Sequence, residues 1–168
     1  MDSQKVLRNE LSALLRGGNA HMDFDEIVSD FPIEHINDKA PNVPYSFWQI
    51  VEHMRIAQWD ILEFIRNPGH VSPHYPEGYR PNPAEIADKA GWLATLADFR
   101  SDLDALDRMV RDPDTDLFSP IPHAKGYNIF REILLAADHN SYHMGELAII
   151  RQVMDLWPAD RKYLTGAP

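Results

Sequence analysis

The sequence predicts an all-α protein, a four-helix bundle with long connectors, and three observations carry that prediction. Four segments space their apolar residues in steps of three and four. No segment alternates apolar and polar residues as a half-buried strand would. Gly17-Gly18, Asn67-Pro68-Gly69, Asp112-Pro113 and Pro158 punctuate the four segments.

The first helix is read from Asp2 to about Arg16, with Val6, Leu7, Leu11, Leu14 and Leu15 on one stripe, and it stops at the glycine pair. The second follows Pro44. Ser46 with Gln49 three residues on forms a capping-box pattern, and Phe47, Ile50, Met54, Ala57, Ile61 and Phe64 then keep a rhythm suited to packing on another long helix at a shallow angle. The third is expected to begin at Asn82-Pro83, a cap followed by proline in the first turn, and carries Trp92, Leu96, Phe99, Leu103, Leu106 and Val110. The fourth is expected from about Tyr127 to Trp157, where Pro158 would stop it.

Residues 67–82, NPGHVSPHYPEGYRPN, hold four of the 13 prolines and are too long for a simple hairpin. Sixteen residues reach about 50 Å, whereas a helix of about 21 residues is about 31 Å long. The chain can therefore return along the bundle and leave helices two and three parallel. Residues 17–45 and 112–126 are long enough to roof one end. With 168 residues and no repeat or low-complexity tract, a single domain over 1–168 is expected.

Composition narrows the function. No apolar run approaches the roughly 18 residues of a membrane span, and the opening MDSQKVLRNELSALLRGGNA lacks the apolar centre of a secretory signal, so a soluble cytoplasmic protein is expected. Sixteen Lys+Arg against 26 Asp+Glu give 16 − 26 = −10, with no basic track, which argues against nucleic acid as a partner. The absence of cysteine excludes a thiolate ligand or nucleophile from this chain. Any metal must be held by His, Asp or Glu.

The fourth helix points to a metal. Its seam runs Ile129, Ile133, Ala136, Asn140, His143, Leu147, Ile150, Met154 and Trp157, apolar except in the middle, with His139 beside Asn140. Two imidazoles one turn apart on a buried face cannot both become cationic without strong repulsion, and a shared Lewis acid resolves this. Such a pair is a recurring half-site for Zn²⁺, Ni²⁺, Cu²⁺ or Fe²⁺, although an isolated H-x-x-x-H is more often structural. Of the other six histidines, His21, His35, His70, His74 and His123 fall in connectors, and only His53 lies in a predicted helix, at the edge of the seam between Ile50 and Ala57. Three histidines from two helices can thus meet and leave a position open for water. H-E-x-x-H is absent, and the residues three before these histidines are Ile50, Ala136 and Asn140, so neither the zincin nor the di-iron pattern applies. No G-x-S-x-G, Walker A or G-x-G-x-x-G motif occurs.

Those residues carry a resemblance. A helix-two histidine followed 86 positions later by H-x-x-x-H within HNSYHMGEL, together with HYPEGYRP and FWQIVEHMRIAQWDILEF, resembles the DinB-like superfamily and its YfiT-type metal-dependent hydrolases over nearly the full chain. The resemblance implies an up-down-down-up bundle, one divalent ion (Zn, Ni or another transition metal) on His53, His139 and His143, and a homodimer. Many relatives read H-x-x-x-H-R-G-Q-L, whereas Met144 and Glu146 stand at the Arg and Gln positions here, which bears on substrate rather than on metal.

The function expected is that of a hydrolase acting on a small molecule through a water bound to the ion on the three histidines. The alternatives are an S-transferase using a metal-bound low-molecular-weight thiol, or a non-catalytic, metal-stabilised binding module. Glu146 and Asp60, each seven residues past a ligand, are candidate bases or shuttles, with a partner that supports a ligand from behind, a structural ion pair or a solvated side chain as the competing roles. Asp138 is expected to orient a ligand ring. Tyr75, Tyr79, His70, His74 and His21 are candidates for a pocket mouth, with packing of the connectors as the alternative.

Overall fold

The computed structural model describes residues 2–161. Among them are five α-helices and no strand: α1 (Ser3–Arg16), α2 (Phe24–Val28), α3 (Phe47–Arg66), α4 (Lys89–Arg111) and α5 (Ile129–Val153). α1, α3, α4 and α5 are the four predicted long helices, and α2 lies inside the first long connector. α3 packs on α4 and α5, and α1 packs on the same two from the other side.

Side-chain bonds give the helix directions. Arg8 reaches the carbonyls of Val110 and Asp112 while Arg16 reaches Asp107, so α1 runs against α4. Trp48 Nε1 donates to Thr95 Oγ1 and Gln58 Nε2 to the Phe99 carbonyl, so α3 and α4 run the same way. His53 meets His143, and Gln58 meets Asn140, so α3 and α5 are antiparallel. The parallel α3/α4 pair is what the long 67–82 connector makes possible.

Local chemistry explains the element ends. Ser46 and Gln49 form the predicted capping box of α3, and Asp23 with Glu26 forms another that starts α2, unremarked in the sequence. α4 starts at Lys89, with Asp88 accepting from the Gly91 N–H at 2.8 Å, rather than at Asn82-Pro83. Asn82 instead closes its own turn onto Ala84, and Gln49 Nε2 takes the carbonyls of Asn82, Pro83 and Glu85, which a helix would have used itself. α5 ends at Val153, short of Trp157. There Asp155 adopts φ 56°, and the Leu156 N–H turns back to the Arg151 carbonyl at 3.0 Å, an ending made by the chain before Pro158 is reached.

The core joins Phe47, Val51, Met54 and Leu62 of α3 to Phe99, Leu106 and Val110 of α4 and to Ile133 and Leu147 of α5. The first connector folds onto it, with Phe24 stacked on Phe99 and Phe31 on Phe47 at centroid distances of 4.0 and 3.8 Å. Buried Arg151 secures that connector by donating to the carbonyls of Ile27 and Ser29. One polar line crosses the core: Asn140 Nδ2 donates to Gln58 Oε1, and Gln58 Nε2 to the Phe99 carbonyl, tying three helices together. No described helix is long and apolar enough to cross a membrane.

Candidate metal centre

His53 enters from α3, and His139 and His143 enter from adjacent turns of α5. One ligand atom from each lies within 4.8 Å of the other two, and no other such cluster of His, Cys, Asp or Glu occurs among the described residues. His53 Nε2 is 3.1 Å from His143 Nε2 and 3.1 Å from His139 Nε2. The three histidines singled out in the sequence therefore come together as expected.

The bonds on the far side of two rings favour one tautomer of each neutral ring. His53 Nδ1 lies 2.7 Å from the Tyr79 carbonyl, and His143 Nδ1 lies 2.5 Å from Glu146 Oε2. Both partners can only accept, so in each neutral ring Nδ1 is the donor and Nε2 keeps its lone pair. With both rings in that neutral tautomer, two lone pairs face each other across 3.1 Å. That arrangement is repulsive alone and favourable around a Lewis acid. Ligands on a tetrahedral ion with bonds of 2.0–2.1 Å stand about 3.3–3.4 Å apart, close to the 3.1 Å that separates His53 Nε2 from each of the other two rings. The donor set fits a divalent transition metal.

Two of the rings are pushed toward the neutral form that a ligand requires. Burial, then the neighbouring His143 and His53, pushes His139 down to about 4. Burial also lowers His53, aided by His143 and Arg80 and opposed by the bond to the Tyr79 carbonyl.

Behind the rings stand two supports. Glu146 accepts from His143 with one oxygen and from the Tyr45 hydroxyl with the other, at 2.7 Å, and that bond raises Tyr45 to about 12. Asp60, buried in α3, accepts from the Tyr79 hydroxyl and bonds His70 Nε2, each at 2.6 Å. Burial and this bond raise Tyr79 to about 12. Asp60 thereby pins the connector whose Tyr79 carbonyl orients His53.

The three histidines line a cleft of about 960 Å³ with Tyr75, Tyr79, Arg80 and Tyr142. A narrower cavity of about 180 Å³ adjoins it, sharing His53 and His143 and bounded by Pro44, Tyr45, Ile50, Arg80, Pro83 and Glu146. Tyr75 and Tyr79 thus stand at the site, as expected of a pocket mouth. His70 and His74 do not: His70 packs edge-on against Trp59, and exposed His74 bonds Glu77. His21 bonds Met22 and Ser141 away from the cluster. Asp138 is exposed and orients no ring. Tyr45 and Arg80 were missed, and no local pattern marks them, since each reaches the site through the fold.

No family model, curated protein or solved structure matches this chain. Fold and site together define a helical bundle with a three-histidine cluster able to hold a metal ion at the floor of an open cleft.

Proposed function

We propose that this protein is a DinB-like, divalent-metal-dependent hydrolase acting on a small molecule. The observation that supports this reading is the set of three imidazoles aimed at one point that opens into a cleft, with the nearest carboxylate, Glu146, turned away onto His143 Nδ1 and Tyr45. A purely structural site would be closed by a fourth protein ligand. When bound, the ion supplies Lewis acidity, lowering the pKa of water or a thiol toward about 7.

The chain's own residues do the rest. His53, His139 and His143 would hold the ion. The Tyr79 carbonyl and the Glu146 carboxylate fix two of the rings in the tautomer that offers Nε2. Pro44, Ile50 and Pro83 give the inner cavity an apolar wall that admits a small substrate and limits water. Glu146, with both oxygens bonded, acts by orienting His143 rather than as a free base. A homodimer belongs to the same reading, supported by the apolar stripe Leu135, Tyr142 and Ile149, seven residues apart and exposed on α5.

Metal-loaded protein assayed against small esters, amides and lactones, with and without a low-molecular-weight thiol, tests the reaction. Turnover without thiol that vanishes on metal removal is expected. Turnover only with thiol would replace hydrolysis by S-transfer, and no turnover by fully loaded protein would leave a binding module.

A further inference from the structure

Arg80 is the one cation in the walls of both cavities, each of which also contains His53 and His143. Among the described residues its guanidinium forms no hydrogen bond or ion pair. The two acids in those walls are already engaged, Glu146 by His143 and Tyr45, and Glu77 by His74. An unpaired guanidinium at a pocket, in a chain of net charge −10, is a local reversal of sign. Its charge reaches the histidines, since it is among the influences that disfavour a proton on His53 and His139.

The backbone of Arg80 is also held in place, and its exposed side chain extends from that fixed point. The residue before it is fixed twice, by the Tyr79 hydroxyl on Asp60 and by the Tyr79 carbonyl on His53 Nδ1. The residue after it is Pro81, which restricts the backbone of Arg80 to the extended form it adopts, φ −135° and ψ 144°. The same peptide segment therefore orients a histidine ring and sets the starting point of the arginine. A guanidinium presents a planar fork matched to the two oxygens of a carboxylate or phosphate, and a fixed backbone lowers the cost of using it.

We propose that Arg80 is a specificity-determining residue, pairing with the oxyanion of a small organic substrate while the substrate's reacting end faces His53, His139 and His143. The substrate class is then a short organic acid or phosphate ester with an apolar body beside Ile50 and Pro83. The reacting end of this assignment rests on the metal reading above; the anion subsite does not.

Full-length protein, with and without one equivalent of Zn²⁺, is titrated with 3-mercaptopropionate and with neutral 2-mercaptoethanol by calorimetry. Acetate and inorganic phosphate serve as competitors, and their relative potency tells carboxylate from phosphate. The side-chain Nε–Hε resonance of Arg80, identified by its loss in Arg80→Gln, is followed in parallel. Zn²⁺-loaded protein is expected to bind 3-mercaptopropionate at least about tenfold more tightly than 2-mercaptoethanol, as suits one charge-assisted pair. Arg80→Gln abolishes that preference and leaves 2-mercaptoethanol affinity and Zn²⁺ stoichiometry unchanged, while Arg80→Lys keeps part of it. Equal affinity for the two thiols, or a preference that survives Arg80→Gln, overturns the assignment with the metal site intact. Zn²⁺ failing to bind while the anions still shift the Arg80 resonance overturns the metal reading and sustains the anion subsite. Neither response overturns both.

Discussion

Glu146→Gln isolates what the carboxylate behind His143 contributes. Glutamine keeps the shape: its amide oxygen can accept from His143 Nδ1, replacing the 2.5 Å bond, and its amide nitrogen can donate to the Tyr45 hydroxyl, replacing the 2.7 Å bond. Only the charge is lost. A bond to an ionised partner is worth about 1.5–3 kcal/mol against about 1 for a neutral one, so His143 becomes a weaker ligand by about 1–1.5 kcal/mol. That corresponds to about a tenfold rise in the metal Kd, at the lower end of the range seen when a ligand's supporting group is changed. Glu146→Ala removes the bond altogether and should cost about 100-fold. Competition against a chelator of known affinity measures both, with thermal unfolding of metal-free protein as the control for folding. A metal Kd unchanged within about twofold in both variants would refute the role assigned to Glu146.

Three further outcomes are expected. Because His139 is held at about 4 in the fold against 6.5 in the unfolded chain, the unfolded state binds more protons between those values. Metal-free protein should therefore gain stability as pH rises from 4 to 6.5, by at most about 3 kcal/mol, and hold it above; urea titrations would show a profile flattened in His139→Gln. Gln58→Leu leaves the buried Asn140 amide without its partner and should cost about 1–3 kcal/mol, read from urea midpoints; an unchanged midpoint contradicts the polar line. In sedimentation equilibrium the unaltered protein should run as the proposed dimer and Ile149→Glu, which places a charge in the exposed α5 stripe, as a monomer with the same helix content; an unaltered monomer removes the dimer, and a persistent dimer removes that stripe from the interface.

How much was legible beforehand follows from what each residue depends on. The apolar rhythm of α3 and α5 and the Ser46/Gln49 cap are local, so they read directly, and the rhythm set His139 and His143 on the buried face. His53 stood out as the one other histidine in a predicted helix. The start of α4 differs from the expected one because Asn82-Pro83 has the local pattern of a helix start, while Gln49, 33 residues earlier in the chain, claims the carbonyls there. Asp138 was expected to orient a ring, but a residue adjacent on a helix points about 100° away, and it faces solvent. Glu146 stands seven residues from His139, but its working relation is the three-residue step to His143, a spacing that puts the two side chains on one helix face. The support of His53 was beyond local reading, since a backbone carbonyl carries no side-chain identity and Tyr79 reaches it only through the folded connector.

The central claim is that His53, His139 and His143 hold one divalent ion. Elemental analysis of untagged protein, dialysed after incubation with Zn²⁺ or Ni²⁺, tests it most directly. The account predicts close to one ion per chain, lost on His139→Ala or His143→Ala while helix content is retained. Protein that holds no ion after loading, or variants that hold as much as the unaltered chain, would contradict it.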